Sequence, residues 1–207
     1  MLHKEILTKE QVELLDLVKT FSKNFYLVGG TSIALQLGHR RSIDFDLFTD
    51  KALRPKLLLE KIHKDKVKIQ KVFVRTDTEL TIIVNFVKLT FYNFPFNIPP
   101  SIKFENYLTM PSLLDLAAMK AFALGGRGKW KDYVDLYCLL SEHFSLEQVG
   151  KRAEELFGES FNERLFREQL IFFKDIDYTE DVVWMQKSFL QEEIKSGLVS
   201  IATTFNL

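Results

Sequence analysis

The 207-residue sequence lacks several features that would assign it to whole classes of protein. Its one cysteine, Cys138, cannot form an internal disulfide, and its place in an apolar helical pattern predicts a buried structural thiol. No run approaches the 18 apolar residues of a membrane-spanning helix. The N-terminal segment carries charges throughout and has no apolar core, unlike a secretory signal. Together these absences predict a cytoplasmic protein with no membrane partner.

Several common catalytic arrangements are also missing. The four histidines show no metal-ligand spacing, and the sequence has no Ser-His-Asp arrangement, no Cys-x-x-Cys pair and no Walker loop. The formal net charge is zero, so the overall charge gives no reason to expect a nucleic-acid partner.

The charge distribution is less even than the total. Residues 51–75 contain nine Lys or Arg against two acids, whereas residues 142–193 contain thirteen acids against six bases. This asymmetry predicts a basic patch on the N-terminal half, suited to an RNA or nucleotide partner. An ordinary solvated helix and hairpin rim would give the same run of charges, so both interpretations stand at this point.

The most informative segment is residues 25–48, which read FYLVGGTSIALQLGHRRSIDFDLF. Two acids, Asp44 and Asp46, are one residue apart in an apolar run. On a strand they project from the same face, roughly 6.5–7 Å apart at Cα. That spacing suits two oxygen ligands of a hard cation such as Mg²⁺. Seen alone, Asp-x-Asp on a strand is more often a solvated face, but the interleaved Ile43, Phe45 and Leu47 mark the other face as buried.

A glycine pair and a helix precede these acids. Gly29 and Gly30 follow a short apolar strand and lack Cβ atoms, so backbone can approach a ligand closely. The helix that starts at Thr31 offers unpaired N–H groups to an anion. A phosphate-binding turn followed by two metal-binding acids indicates a nucleoside triphosphate and phosphoryl-type transfer, although a glycine pair alone is usually only a turn.

A second segment, Leu113 to Leu140, reads LLDLAAMKAFALGGRGKWKDYVDLYCLL. Arg127, Lys129 and Lys131 lie in or just after a Gly-rich stretch, where their side chains can surround triphosphate oxygens. Asp132 and Asp135 follow on one side of the next helix. Asp135 has a structural interpretation of equal weight, an ion pair with Lys131 across one helical turn.

These two blocks resemble the nucleotidyltransferase superfamily, and within it the AbiEii/AbiGii toxin branch. The first block is similar to GGTxLxLxxGHRxSxDxDLF. The second is similar to Asp-x-Ala-x-x-Lys followed by Arg-x-x-Lys-Asp-x-x-Asp-Leu. The two blocks occur in the family's order and together cover about a quarter of the chain.

The resemblance implies an enzyme that moves a nucleoside monophosphate from an NTP to an acceptor hydroxyl, with Mg²⁺ or Mn²⁺ as cofactor. It also implies the toxin of a toxin–antitoxin or abortive-infection pair in phage defence, with a cognate antitoxin and with tRNA or another RNA as acceptor. The expected catalytic residues are Asp44, Asp46, Lys120 and Asp132, of which Asp44 and Asp46 would hold the metal. The expected nucleotide-binding residues are Gly29, Gly30, Thr31, Arg41, Ser42, Arg127 and Lys131.

One departure from the superfamily pattern keeps two further functions open. Many members carry a third carboxylate on a later strand as general base, but here Thr90 stands at that place, and a hydroxyl cannot act as a carboxylate at neutral pH. Either Asp132 takes over that role, or the protein is a catalytically degenerate module that binds nucleotide or antitoxin. A kinase-like phosphotransferase is the third possibility.

The pattern of elements predicts an α+β protein. Residues 1–100 are expected to form a nucleotidyltransferase-like core with a small mixed sheet and helices, and residues 101–207 a helical region that completes the cleft. The expected strands are Phe25–Val28 and Ser42–Phe48, and two further segments, Val67–Arg75 and Leu80–Phe94, are expected to be β-rich with a turn at residues 76–78. The expected helices begin with one that Thr8 and Gln11 cap, followed by Thr31–Leu37, Pro55–Lys64, Ser112–Leu124, Lys131–Leu140, Leu146–Phe157, Ser160–Phe173 and Val182–Lys195.

Overall fold

A computed structural model describes residues 2–65, 67–126 and 128–204. The chain divides into two compact units, Met1–Ser112 and Leu113–Leu207. The first contains all the strands assigned in the described chain, and the second contains helices, so the α+β prediction is confirmed. Within the described ranges, no helix is long and apolar enough to cross a membrane.

The first unit is built on a five-stranded mixed sheet with the strand order β1-β2-β5-β4-β3. Strands β2 and β5 are parallel, and the other neighbouring strands are antiparallel. A separate two-stranded sheet pairs β6 with β7. The strands are β1 (Tyr26–Val28), β2 (Phe45–Thr49), β3 (Ile69–Arg75), β4 (Glu79–Val84), β5 (Val87–Asn93), β6 (Ile102–Phe104) and β7 (Leu108–Met110).

The α-helices assigned in the described part of this unit are α1 (Lys9–Glu13), α2 (Leu15–Lys19), α3 (Gly29–Leu37) and α4 (Pro55–Lys64). The Thr8–Gln11 capping box is present, but the predicted single N-terminal helix is interrupted at Leu14. Gly38 ends α3 in the left-handed conformation that its position predicts. Helix α3 joins β1 to β2, as predicted, but it begins at Gly29 instead of Thr31, so the glycine pair forms its first two residues.

The two faces of the sheet differ sharply. Residues directly opposite one another in a ladder share a face. On one face, apolar side chains of β2, β5 and β4 form a fully buried layer: Phe45, Leu47, Leu89, Phe91, Leu80 and Ile82. The other face carries polar residues, with Asp46 of β2 beside Thr90 of β5 and Thr90 beside Thr81 of β4.

The acid-bearing strand begins later than predicted. Strand β2 starts at Phe45, so Asp44 precedes the ladder, and Ile43 is 52% exposed where the alternation predicts burial. The Asp44 backbone has partners outside the sheet, because the side chains of Gln11 and Thr31 hydrogen-bond the Asp44 carbonyl. Those contacts hold the Asp44 backbone just outside the ladder, which starts at Phe45.

Within the described residues, the α-helices of the second unit are α5 (Leu113–Leu124), α6 (Trp130–Glu142), α7 (Leu146–Phe157), α8 (Glu163–Leu170) and α9 (Gln191–Thr203). Helix α5 packs on α7, and Phe122 stacks on Phe157 with ring centroids 4.4 Å apart. Cys138 is buried in α6, as predicted.

Two predicted helices are wrong in extent. The helix predicted from Ser160 to Phe173 spans only α8, since the Asn162 side chain caps its start by accepting the Leu165 N–H at 3.0 Å. The helix predicted over 182–195 begins at Gln191, where the Glu193 side chain accepts the Leu190 N–H. Residues 182–190 are not helical, and in this segment the Phe189 ring contacts Trp184 and Tyr137.

Candidate functional site

The glycine pair lies against the acid strand and the loop that leads to it. Gly29 has φ +72°, and a Cβ added there would collide with the Asp46 carboxylate. A Cβ at Gly30 would lie 2.6 Å from Arg40 Nη2 and 3.2 Å from Ser42 Oγ. Glycine at these two positions therefore allows β2 and the preceding loop to approach the start of α3. The structure thus shows a second reason for the pair, besides the approach of a ligand to backbone.

The Thr31 side chain contacts the backbone of Asp44 and the side chain of Ser42. The side chains of Thr31 and Ser42 are buried, and their hydroxyl oxygens are 2.9 Å apart. The Thr31 hydroxyl hydrogen-bonds the Asp44 carbonyl, and Gln11 Nε2 donates to the same carbonyl at 3.3 Å. Gln11 was predicted only as a helix cap. Its contact with a residue 33 positions away has no local signal in the sequence.

The two arginines before β2 have different environments. Arg40 is only 2% exposed and donates through Nη1 to the Arg41 carbonyl at 3.0 Å. Arg41 is half-buried, and its Nε is a buried donor for which no described residue supplies an acceptor. A buried cationic donor in this state suits an anionic ligand. Arg40 was missing from the predicted site, and its proximity to Gly30 depends on the fold.

A lysine faces the acid pair from the neighbouring strand. Lys88 Nζ of β5 lies 2.5 Å from Asp44 Oδ2, and both side chains are about a third exposed, at 35% and 27%. Two residues further along the same strand, Thr90 stands directly opposite Asp46 in the parallel ladder. The structure therefore places a hydroxyl, and a lysine beside it, where the superfamily pattern leads one to expect a carboxylate.

The donor set at these acids fits a hard cation only in part. Mg²⁺ prefers oxygen ligands such as carboxylates, and it takes six oxygens in octahedral geometry, of which phosphates and water usually supply most. Across the described residues, no group of three or more His, Cys, Asp or Glu side chains is arranged to hold a metal. Asp44 and Asp46 would thus hold the ion together with ligand phosphates and water.

In the second unit, three predicted or neighbouring polar residues form a buried cluster. Lys120 Nζ contacts Asp132 Oδ1 and lies 3.0 Å from Asp135 Oδ2. All three side chains are at most 8% exposed. Asp135 is thus paired with Lys120 of α5. The partner that the sequence suggested for Asp135 was Lys131, one helical turn away.

Asp115, at the start of the same block, has a structural partner. It sits in the first turn of α5, is 4% exposed and accepts from Arg152 Nε at 2.6 Å. The hydrogen bonds that Arg152 makes with Glu155 and Asp115 raise its pKa above the ordinary value. This residue therefore joins α5 to α7.

The predicted phosphate-binding lysine Lys131 pairs with an acid from a distant segment. Glu180 lies 2.8 Å from Lys129 Nζ and 3.1 Å from Lys131 Nζ. These contacts, with the hydrogen bond from Lys129 as the largest cause, lower the pKa of Glu180 to about 2. Backbone bonds support the pairing, because Trp130 N donates to Asp177 O at 3.0 Å and Asp177 N to Gly128 O at 2.7 Å. Arg127 lies outside the described residues.

The predicted residues thus fall into two groups, one in each unit. In the first unit, Gly29 lies close to Asp46 and Gly30 lies close to Ser42. The Thr31 hydroxyl hydrogen-bonds both Ser42 and the Asp44 carbonyl. In the second, Lys120 contacts Asp132, while Lys131 is held by Glu180. The catalytic and binding roles of these residues stay predictions.

Similar proteins are found at the level of sequence and of fold. An uncharacterized protein of Aquifex aeolicus is 28% identical over 204 residues, which cover 93% of this chain and 98% of that protein. The nucleotidyltransferase toxin MenT4 of Mycobacterium tuberculosis is 14% identical with a TM-score of 0.64, covering 94% of this chain and 82% of MenT4. JHP933 from Helicobacter pylori is 17% identical with a TM-score of 0.55, covering 98% and 92%. At these identities the two solved structures establish the fold alone.

The family itself is shown by a sequence model. The model of the nucleotidyl transferase AbiEii toxin, from type IV toxin–antitoxin systems, matches residues 14–107 and 95–196. These matches include both sequence blocks and most of both units. The chain therefore belongs to the AbiEii family of nucleotidyltransferase toxins.

Proposed function

We propose that this protein transfers a nucleoside monophosphate from an NTP to a hydroxyl group of an RNA acceptor, with a divalent metal as cofactor. The observation that carries the proposal is the close approach of Gly29 to the Asp46 carboxylate, which leaves no room for a Cβ and places the start of α3 beside the acid strand. Membership of the AbiEii family supports nucleotidyl transfer and a toxin function. The same membership supports a cognate antitoxin as partner.

In this mechanism, the acceptor hydroxyl oxygen forms a bond to the α-phosphorus of the NTP. The bond from that phosphorus to the bridging oxygen breaks, and pyrophosphate leaves. Asp132 would accept the hydroxyl proton, and Lys120 would hold the Asp132 carboxylate in place. Mg²⁺ or Mn²⁺, when bound, supplies neutralisation of the phosphate charge.

The first unit would supply the nucleotide contacts. Asp44 and Asp46 would hold the metal. The first residues of α3, Gly29, Gly30 and Thr31, would face the phosphates. The buried Nε of Arg41 supports an anion site, since its donor has no acceptor among the described residues. Charge-assisted bonds from an arginine to phosphate would then repay the burial of that donor.

The test is a transfer reaction with each of the four NTPs, total RNA and Mg²⁺. Label at the α-phosphate is expected to enter RNA, whereas label at the γ-phosphate is expected in pyrophosphate. Transfer of the γ-label to the acceptor would instead indicate a kinase-like phosphotransferase. RNA that gains neither label would contradict the proposed activity.

Thr90 favours a second candidate function, a module that binds nucleotide or antitoxin without transfer. Its hydroxyl stands opposite Asp46, where a general base is expected on this strand. Nucleotide binding with no transfer to RNA would support that function.

Lys88 should weaken divalent-metal binding, because its ammonium lies 2.5 Å from an oxygen that the metal would use. Lys88→Met should therefore tighten Mn²⁺ binding, measured by EPR with a non-hydrolysable NTP analogue, by roughly 3- to 10-fold. Lys103→Met, which removes an exposed lysine of β6, is the matched control and should leave the affinity unchanged. Equal or weaker Mn²⁺ binding in Lys88→Met would contradict Asp44 as a metal ligand.

Glu180 should compete with NTP phosphates for Lys131. Glu180→Gln is expected to raise NTP affinity by roughly 2- to 10-fold in isothermal titration calorimetry, since it releases Lys129 and Lys131. Glu159→Gln, at an exposed position of the same unit, is the control. Unchanged affinity in Glu180→Gln would argue against Lys131 as a phosphate ligand.

The lowered pKa of Glu180 makes the stability contributed by its ion pairs depend on pH. Because its folded-state pKa of about 2 is below its ordinary value of 4.5, the ion pairs contribute stability above about pH 4.5 and lose it as the pH falls towards 2. The contribution is small, since the Glu180 side chain is 43% exposed. Glu180 therefore stays ionised throughout the neutral range, and should cause no change in NTP affinity between pH 6 and 8.

A further inference from the structure

The free edge of the five-stranded sheet carries an unusual set of exposed side chains. Strand β3 is the edge strand, and Phe73 on it is 53% exposed. Lys71 Nζ lies 4.3 Å from the centre of the Phe73 ring. The adjoining hairpin between β4 and β5 places Phe86 at its tip, 79% exposed. Accessible aromatic rings and a lysine on one sheet edge and its adjoining hairpin are the components of a surface that stacks bases and binds phosphate.

Two irregularities in the β3–β4 ladder produce this arrangement. The pairing skips Gln70, between Ile69 and Lys71, and skips Phe73, between Val72 and Val74. Bulges redirect the side chains of the residues they leave unpaired. Gln70 Oε1 accepts the backbone N–H of Phe86 at 2.7 Å, which connects the first bulge to the hairpin tip.

Phe86 occupies a conformation that costs folding energy. Its φ is +62°, and the φ of the preceding Asn85 is +48°. Asparagine tolerates this left-handed region, but a bulky aromatic residue does not favour it, and glycine would avoid the strain. A large apolar ring that is both strained and exposed contributes little to the core. At the tip this ring is instead accessible to a contact outside the chain.

The same edge is basic and discourages pairing with another strand. Lys68, Lys71 and Arg75 are exposed on or next to β3, and α4, which packs against β3, adds Lys56 and Lys64. The acids of residues 51–75 are only Glu60 and Asp65. Bulges and lysines on an edge strand oppose the regular hydrogen bonding that a partner strand requires. The charge complements a polyanion, and the rings complement unstacked bases.

The ladder connects this edge to the proposed metal acids. Lys71 of β3 stands opposite Ile83 of β4, and Ile83 stands opposite Lys88 of β5. Lys88 in turn contacts Asp44. Opposite residues share a face, so these residues form one row across the polar face of the sheet. Because neighbouring strands are about 4.8 Å apart, the Cα atoms of Lys71 and Lys88 are about 10 Å apart.

We propose that the edge formed by Lys71, Phe73 and Phe86 binds single-stranded RNA and leads the acceptor strand along this row towards Asp44. The bases stack on Phe73 and Phe86, and Lys71 contacts a phosphate. This inference rests on the proposed transfer to RNA only for its direction towards the acid pair. The binding surface itself stands on the bulges, the strained phenylalanine and the charge of the edge.

The experiment measures the binding of a fluorescently labelled 12-nucleotide single-stranded RNA by anisotropy, without NTP or metal. Phe73→Ala and Phe86→Gly are each expected to weaken binding by roughly 5- to 150-fold, the loss of one base–aromatic stack. Lys71→Met should reduce the slope of log affinity against log salt by about 0.7, the value for one phosphate contact on a single strand. Leu165→Ala, which removes an exposed apolar side chain of the second unit, should bind as wild type.

Phe86→Gly also separates binding from folding, because it removes a ring that the fold does not need. Its unfolding temperature should equal or exceed that of wild type, since glycine accepts the positive φ without strain. RNA affinity that falls only together with the unfolding temperature would overturn the proposal. Equal competition by duplex RNA, whose bases are not available for stacking, would overturn it as well.

The outcomes distinguish this proposal from the proposed enzyme activity. If wild type transfers no nucleotide but loses RNA affinity in Phe73→Ala and Phe86→Gly, the RNA surface stands without the activity. If transfer occurs and these variants bind RNA as wild type does, the activity stands and the RNA surface is wrong. Unchanged RNA affinity would leave the exposed edge to a protein partner such as an antitoxin.

Discussion

Asp132→Asn is expected to lower the rate of nucleotidyl transfer by about 100- to 10,000-fold, the usual cost of losing a general base. With Thr90 opposite Asp46 in place of a carboxylate, the proposed reaction needs another group to take the hydroxyl proton. Asp132 stands in the first turn of α6, with Lys120 against one of its oxygens. The NTP affinity should change little, because Asp44 and Asp46 would still hold the metal.

Burial makes stability the necessary second measurement for this variant. Breaking a buried ion pair typically costs about 3–5 kcal/mol, and Asp132 is 2% exposed. Asparagine keeps an acceptor for Lys120, and Lys120 keeps Asp135 at 3.0 Å, so the cost should be at the low end. The rate should therefore be reported per folded molecule, with circular dichroism and thermal unfolding of each variant.

Asp135→Asn is the matched control for Asp132→Asn. Asp135 shares the same lysine and is completely buried, but has no catalytic role in the proposal. It should match Asp132→Asn in loss of stability while retaining most of the transfer rate per folded molecule. In cells, Asp132→Asn should relieve growth arrest caused by the protein alone, and Asp135→Asn should not. Wild-type transfer by Asp132→Asn would refute its assignment as general base.

Asp46→Asn is expected to abolish the divalent-dependent part of NTP binding. Replacing one of two carboxylates removes a charged oxygen ligand, and the remaining Asp44 is shared with Lys88. The unfolding temperature should change little, since Asp46 is half-buried on the polar face and the apolar layer lies on the other. Titration of NTP with Mg²⁺ and with EDTA measures the divalent-dependent difference directly.

Asp50→Asn is the control for this second prediction, because Asp50 is an exposed acid immediately after β2. It should keep both the NTP affinity and its dependence on Mg²⁺. If Asp46→Asn unfolds the protein, the carboxylate serves the packing against Gly29 instead of a metal. If it keeps Mg²⁺-dependent binding, the acid pair is not the metal site.

Local chemistry accounts for the parts of the fold that the sequence predicted well. The Thr8–Gln11 box, Gly38 after α3 and Pro55 at the start of α4 each act within one or two turns of a helix. The chain order of a strand, Gly29–Gly30, a helix and the acids likewise predicted two strands with a helix between them, which β1, α3 and β2 confirm. Such signals depend on neighbours in the sequence, so a single chain contains them.

Contacts between distant residues account for what the sequence did not predict. Lys88 reaches Asp44 across 44 positions, and Glu180 reaches Lys131 across 49. Neither pair has a spacing that a helix or strand period would reveal. Residues 182–190 were predicted to be helical but are not, and the partners of Phe189 there, Trp184 and Tyr137, are not set by a helical spacing.

The most direct test of the central claim is the intact mass of a defined RNA oligonucleotide after incubation with the protein, Mg²⁺ and each NTP. Wild type should increase the mass of the RNA by one nucleoside monophosphate with at least one NTP and release an equal amount of pyrophosphate. Asp46→Asn, folded as wild type, should give no increase. An unchanged RNA mass with all four NTPs, or a gain of one phosphate only, would contradict nucleotidyl transfer to RNA.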